Sequence, residues 1–416
     1  MKYLCVTHVP VFAGQSPGVV RFTRAHLREL LPQATALREA GFEFVLATPL
    51  YDTIDARTLA QHEIVDLPKH DRPFAYVPLP GYRTMPQFLS ARAELLEQVR
   101  IAAKGADIIQ LGAAGHPTAL GQVAWPVVSK LNKKRIFVFG SDPFPGLARH
   151  AASGRNPAKR IAKQLSVQRF EKFCGRAIRD ANLVFAHSPA LADRFRRAWS
   201  DRCHTFDPQP LARAEILADP TDRLARLSDK SRPLRLVSIG ETSLTRGVDH
   251  LLRSLGKARR LSEKLELDLI GDLTASADLM DVLRSEKIGN AVRLRGVIDP
   301  VAAFDDADLF VASSLIPQND PIIFLAAARA LPIVTYQSGT PADALLESAG
   351  CAMVIPRGEN DLLSQALLDL GRDRAKLVEM SKQAIRFASA STIDRVHERR
   401  AELAMQCVKS SSVVSL

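Results

Sequence analysis

The sequence predicts an α/β protein made of two doubly wound domains that face each other across a cleft. Three observations carry this. Strand, helix and strand follow one another within about the first 48 residues, a βαβ unit that implies parallel pairing. The alternation stops over residues 200–233, a stretch rich in Pro, Asp and Ser, and then restarts with the same order of elements. In the second run a strand closes on Gly240, and a short polar loop leads through Arg246-Gly247 into the amphipathic helix VDHLLRSL. Open α/β sheets of this kind bind ligands beyond the carboxyl ends of their strands.

The elements follow from the residues. Tyr3–Thr7 (YLCVT) is a short buried strand, and residues 9–24, with their Gly, Pro and Ser, are expected as a loop. Leu27, Leu30, Leu31, Ala34 and Leu37 have helical spacing, Pro32 implies a kink or late start, and Gly41 is the stop. Strand Phe44–Thr48 comes next, then a helix near 89–104, strand Asp107–Leu111, a helix near 119–131, strand Arg135–Phe139, a helix over 158–180 and strand Leu183–Ala186. After the break, strands are expected at 234–239, 265–270, 292–294, 309–312, 332–335 and 353–355. Helices are expected at 247–260, 275–287, 300–306, 321–330 and 341–348, with a helical stretch from about 360. The implied domains are residues 1–205, a linker over 206–233, a second domain over 234–385, and a segment 386–416 whose helix packs back on the first domain.

Composition excludes several classes. A hydrophobic content of 46% and a charged content of 24% are ordinary for a globular protein, and no run of 18 apolar residues is present. The start, MKYLCVTHVPVF, reads as a first strand and lacks a signal peptide's apolar core. Five scattered cysteines form no CxxC pair and no Cys/His cluster, so neither a disulfide nor a bound metal is expected, and the cytoplasm is the expected compartment. The net charge of +11 is uneven: residues 1–215 hold 30 Lys+Arg against 18 Asp+Glu, and residues 216–416 hold 26 against 27. An excess confined to the first half suggests an anionic partner there, although solubility alone also accounts for it. Aromatics are 6% and no nucleic-acid motif is present, so no nucleic-acid partner is expected.

The second half resembles the family-4 glycosyltransferases, which have the GT-B fold of two facing Rossmann-like domains. The stretches that carry the resemblance run in the family's order: LRLVSIGETSLTRGVDHLLRSLGKA, LELDLIGDL with Gly271-Asp272, VRLRGVIDPVAAFDDADLFVASS with Gly296, ALPIVTYQSGTPADAL with Gly339, and CAMVIPRGENDLLSQAL. In the first half, DANLVFAHSPALADRF and ALREAGFEFVLATP are similar to family segments. The resemblance implies transfer of a sugar from a nucleotide-diphosphate sugar, used as a substrate with no cofactor. Cell-surface polysaccharide or glycolipid assembly is the implied setting, at the inner face of the cytoplasmic membrane, with a lipid-linked or glycan acceptor. Three departures stand out. Glu241 takes the place of the family's Arg, and Arg246 takes the place of its Lys. The family's two glutamates, which contact the donor sugar and ribose, correspond to Pro317 and Leu325. A non-catalytic relative that binds nucleotide sugar or a partner enzyme is the alternative these losses leave open.

Candidate site residues follow. Arg246 opens a helix, where a cation opposes the dipole and calls for an anion, so it is the expected diphosphate ligand. Gly240, Gly339 and Thr340 let the backbone approach that diphosphate. Gly271 and Gly296 are the expected base-side positions, beside Arg295 and Val297. Asn319 and Asp320 stand where the family glutamates would, although Asp320 before Pro321 is also a plain helix cap. Asp343, in the first turn of the next helix, is explained equally by helix stabilisation. In the first half, Gly14 and Gly18 are acceptor-side candidates, and His116 lies just past a strand end. Asp142 is the candidate general base, with a turn before prolines as its structural alternative. The stretch 150–179 interleaves Arg155, Lys159, Arg160, Lys163, Arg169, Lys172, Arg176 and Arg179 with Ile161, Leu165, Phe170, Phe173 and Ile178, and Arg194, Arg196 and Arg197 follow. That pattern fits a helix lying on an anionic membrane surface, or a solvated helix packed on its own sheet.

Overall fold

The computed structural model describes residues 1–55, 58–59, 63–113, 120–140, 142–152, 157–188, 190–206, 211–240, 247–261, 264–271, 276–315, 321–338 and 341–410. It divides into two compact units, Met1–Pro210 with Ile393–Leu416, and Leu211–Thr392. In chain order the first unit holds β1 (Lys2–Val6), β2 (Val11–Ala13), β3 (Val19–Thr23), α1 (Arg24–Glu39), β4 (Glu43–Tyr51), β5 (Ile64–Pro68) and β6 (Ala75–Pro80). It continues with α2 (Met85–Lys104), β7 (Ile108–Gly112), α3 (Leu120–Val128), β8 (Lys134–Phe139), α4 (Phe144–Ala152), α5 (Pro157–Asp180), β9 (Leu183–Ala186), α6 (Ala190–Arg194) and β10 (Cys203–Thr205). The second unit holds α7 (Thr221–Ser228), β11 (Leu234–Ile239), α8 (Val248–Arg260), β12 (Leu265–Ile270), α9 (Ser276–Glu286), β13 (Val292–Leu294), α10 (Pro300–Asp306) and β14 (Leu309–Ala312). It ends with α11 (Pro321–Ala328), β15 (Ile333–Tyr336), α12 (Pro341–Ser348), β16 (Ala352–Ile355), α13 (Asn360–Arg372) and α14 (Arg374–Ala390). The final helix, α15 (Ile393–Lys409), returns to the first unit and packs on α1.

Both units repeat one topology. The parallel strands of the first run in the order β6-β4-β1-β7-β8-β9-β10. Those of the second run β13-β12-β11-β14-β15-β16. Numbered within each unit, both follow the doubly wound order that begins 3-2-1-4-5-6. Its switch point lies between β1 and β7 in the first unit and between β11 and β14 in the second. A parallel neighbour cannot be reached by a tight turn, so crossover connections join the strands.

Period-2 alternation builds the cores. In β1, Leu4 and Val6 join Leu111, Phe137 and Phe139 on one face, under α2, α3 and α5. Tyr3 and Cys5 join Phe44, Ile108 and Phe185 on the other, under α1 and α15. The second sheet is also covered on both faces: Leu234, Leu236 and Leu267 pack with α8 and α13, and Val237, Phe310 and Ile333 with α10, α11 and α14. All five cysteines are free thiols.

Several segments differ from expectation. Residues 9–24, expected as a loop, contain the antiparallel pair β2–β3, extended by β5. Gly14 and Gly18 make its turn: Gly14 N donates to Val19 O at 3.0 Å, a Cβ on Gly14 would lie 2.6 Å from Val19 Cβ, and Gly18 has φ +80°. Strand β6, with Pro78 and Pro80, was not legible; it hangs on β4 at a sheet margin, where prolines are tolerated. Helix α7 falls in the stretch read as linker. There Arg223, buried, donates to Ala307 O (2.6 Å) and Phe304 O (2.8 Å) at the carboxyl end of α10, and Arg226 donates to Asp305 O (2.8 Å). Guanidinium groups suit a helix C-terminus, where carbonyls lack partners. Arg223→Ala removes two buried, charge-assisted hydrogen bonds, so it is expected to cost about 3 kcal/mol. Thermal unfolding should then show the second unit melting roughly 10 °C lower.

Helix α15 brings a buried polar cluster to the first unit. Arg400 contacts His187 Nε2 and lies 5.4 Å and 4.9 Å from the ring centres of Phe185 and Phe206. Burial lowers the Arg400 pKa to about 10. Burial also lowers the His397 pKa, against Glu29 Oε2 at 3.9 Å, which raises it less. The folded state therefore holds His397 neutral, and the unfolded chain binds the proton first. Stability of the first unit should fall as pH drops below about 6.5, the ordinary histidine value. Denaturant midpoints at pH 7.5 and 5.5 check this, and His397→Leu should flatten the difference.

Candidate functional site

At the carboxyl edge of the second sheet, three successive strands end on glycine. Gly240 follows β11, Gly271 follows β12 and Gly296 closes the turn after β13. Gly240 N donates to Ile270 O at 3.0 Å, and Gly271 N to Gly296 O at 2.9 Å, so the three stand side by side. Their φ angles are +149°, +151° and +60°, a region L side chains rarely adopt. Among the described residues no atom lies within 4 Å of a Cβ placed on Gly240 or Gly296. Val297 is 83% exposed at its outer end. Asp268, below the rim, is occupied structurally: it pairs with Arg293 (2.6 Å) and Arg295 (3.1 Å).

Across the switch point, Gly247 starts α8 with φ +96°, and a Cβ there would stand 2.1 Å from Ser313 O. The amino end of α8 thus rests directly on the end of β14. Its N-cap is a glycine, which has no side chain to cap the helix, and helix amino ends favour an anion. His250, in its first turn, meets the Tyr336 ring edge-on at 6.1 Å. Tyr336 Oη donates to Asn360 Oδ1 at 3.1 Å, and burial raises its pKa to about 12. Asp343 Oδ1 accepts from Ser338 N (3.1 Å) and Oγ (2.7 Å), fixing the backbone that enters residues 339–340. Arg246, Asn319, Asp320, Gly339 and Thr340 lie outside the described residues, as do Glu241, Asp272 and Pro317.

In the first unit, Asp142 Oδ1 accepts from Phe144 N at 2.9 Å, so it holds the start of α4 at the carboxyl end of β8. His116 lies outside the described residues. Sequence reasoning missed a pocket of about 480 Å³ beyond the ends of β1, β4 and β6, lined by His8, Phe12, Tyr51, Asp55, Tyr82 and Arg83 among others. His8 Nδ1 and Tyr82 Oη are 3.0 Å apart. Burial lowers the His8 pKa and raises that of Tyr82. The sequence signal for this pocket was position: His8, Asp55, Tyr82 and Arg83 follow strand ends, and Tyr51 closes β4.

Of the two readings of the basic helix α5, packing on its own sheet holds for Phe170, Phe173 and Ile178, which are buried in the core of their own unit and not turned to a membrane. Only Ile161 (58%) and Leu165 (48%) of that set are exposed. Lys172, Arg176, Arg179 and Arg194 line an open groove of about 690 Å³ together with Glu171, which pairs with Arg194 at 2.9 Å. Among the described residues no helix is long and apolar enough to cross a membrane.

Residues 233–373 match the family described as Glycosyl transferases group 1. The chain carries a glycosyl transferase group 1 domain. No curated protein sequence is similar enough to count as a match. Among solved structures, a glycosyltransferase from Rickettsia africae matches with a TM-score of 0.58 at 12% identity, covering 98% of each chain. Anabaena HepE in complex with UDP matches at 0.56 and 16% identity over 100% of both chains. Sucrose-phosphate synthase from Thermosynechococcus elongatus matches at 0.54 and 14% identity, over 98% of this chain and 99% of that one. These likenesses establish the fold as GT-B, with two Rossmann-like domains. With its group 1 domain, the chain is a glycosyl-transferring enzyme.

Proposed function

We propose that this glycosyltransferase takes a nucleotide-diphosphate sugar as donor and moves the sugar to a cell-surface polysaccharide or lipid-linked acceptor, without a metal. The glycine rim carries the reading. Gly240, Gly271 and Gly296 stand side by side on the carboxyl edge, in the same unit as the glycine-capped start of α8, which suits a base and a diphosphate lying along it. Structures of HepE in complex with UDP and with UDP-glucose support a donor of this kind. Arg246, one residue before the Gly247 turn, would offset the leaving-group charge, with Gly339 and Thr340 offering backbone and Asn319 and Asp320 meeting the sugar hydroxyls. The acceptor belongs to the first unit, with Asp142 and His116 as the groups at its strand ends. The open cations and exposed Ile161 and Leu165 of α5 support docking on an anionic lipid surface at the inner face of the cytoplasmic membrane.

A thermal-shift screen of nucleotide sugars tests the donor. A ligand at a hundred times its Kd adds roughly 2.7 kcal/mol, so one member should raise the midpoint by several degrees. Turnover of that donor should survive EDTA. No shift with any nucleoside diphosphate sugar rejects the reading.

A further inference from the structure

Helix α5 carries its cations on the side turned away from the sheet. Phe170 and Phe173 pack into the core of the first unit, while Lys172, Arg176 and Arg179 are exposed and follow one another at helical spacing. Gly175, on the same face, has no side chain to fill the space between them. With Arg194 at the end of α6 these cations line the groove, and Glu171 is the one carboxylate among its lining residues, so the lining carries a net charge of +3. Arg194 is held in place: it pairs with Glu171 at 2.9 Å and lies 4.6 Å over the Phe144 ring. No ion pair among the described residues involves Lys172, Arg176 or Arg179. Helix capping does not account for them. Cations suit a helix carboxyl end because its last carbonyls lack partners, but two other guanidinium groups already serve those carbonyls. Arg135 donates to Asp180 O (3.2 Å), and Arg202 donates to Ala181 O (2.7 Å) and Arg179 O (3.3 Å). Arg176 and Arg179 are surplus to that task, and like charges three and four residues apart on a helix repel.

We propose that this groove is a stoichiometric binding site for a ligand bearing clustered phosphate groups. A phosphate monoester carries roughly two negative charges and three acceptor oxygens, so it meets several cations at once, where a uronate brings a single charge. Guanidinium groups pair with phosphate oxygens in bidentate fashion. The concave shape, with walls from two helices and a volume of about 690 Å³, suits a discrete group reaching in. A flat bilayer surface would meet only the tips of the side chains. The same helical stripe runs on through Gln168 to the exposed Leu165 and Ile161, so a lipid phosphate with its apolar part along α5 is one source of the ligand, and a soluble oligophosphate is the other.

The inference deepens the lipid-docking reading of α5 and rests on it for the lipid source alone. Isothermal titration calorimetry of the full chain with tripolyphosphate, in saturating UDP so that the start of α8 is filled, should give one site per chain. Arg176→Gln and Arg179→Gln should each raise its Kd about tenfold, the loss of one charge-assisted hydrogen bond. Circular dichroism and the UDP thermal shift should stay unchanged. Arg197→Gln removes an exposed cation that does not line the groove and should change the Kd less than about twofold. Absence of tripolyphosphate binding overturns the proposal, as does a Kd indifferent to both groove variants, an equal loss in Arg197→Gln, or citrate binding as tightly. Vesicles of phosphatidylcholine with phosphatidic acid then identify the source. Co-sedimentation that tripolyphosphate reverses and Arg179→Gln abolishes assigns a lipid headgroup. Tripolyphosphate binding without co-sedimentation assigns a soluble oligophosphate and rejects the lipid-docking reading alone, whereas absence of any UDP shift rejects the donor reading.

Discussion

Gly247→Ala is expected to abolish donor binding and to destabilise the second unit. The residue sits at φ +96°, and an added Cβ would stand 2.1 Å from Ser313 O, a backbone atom that cannot rotate away. Alanine in a left-handed conformation costs about 1–2 kcal/mol before any clash. Relieving the clash requires the start of α8 to lift from the end of β14, which costs more and moves the N–H groups proposed to hold the diphosphate. The expected total is roughly 3 kcal/mol or more, at the upper end of single substitutions. Gly289→Ala is the control, since nothing lies within 4 Å of its Cβ position and its φ is ordinary. Thermal melts and UDP titrations of both variants check this. Near-native UDP affinity in Gly247→Ala would remove the amino end of α8 from the site.

Arg246→Ala carries the second large effect. A cation that balances a departing nucleoside diphosphate does its work in the transition state, so its removal should lower kcat about 10²–10³-fold, with a smaller change in KM. Arg246→Lys should restore part of the rate, because the charge returns without the bidentate geometry. Steady-state transfer or donor hydrolysis reads both variants. Equal loss in KM alone would mean that Arg246 binds ground state and transition state alike.

Much of the second unit was legible because its strands are buried on both faces and end abruptly. LRLVSIG, LELDLIG and VRLRG each close an apolar run on glycine, and those glycines prove to be neighbours across the hydrogen-bonded strand ends. The first unit was harder to read. In SPGVVRFT the Gly and Pro punctuation outweighs five strand residues, so β3 read as loop. Strand β6 is interrupted by Pro78 and Pro80, and α4 starts between Pro143 and Pro145, where turn signals dominate. For the apolar residues of α5 the sequence left two partners open, a membrane and the helix's own sheet, since periodicity states that a face is covered and never by what. The pocket residues His8, Tyr51 and Tyr82 are far apart in sequence, and only the order β6-β4-β1 brings them to one edge.

The central claim is that the second unit holds a nucleoside diphosphate along the carboxyl ends of β11, β12 and β13, with its phosphates at the start of α8. A crystal structure of the chain with bound UDP tests it most directly. The uracil is expected beside Gly271, Gly296 and Val297 and the phosphates over Gly240 and the amino end of α8. UDP seated in the first unit, or on the second away from this rim, would contradict it.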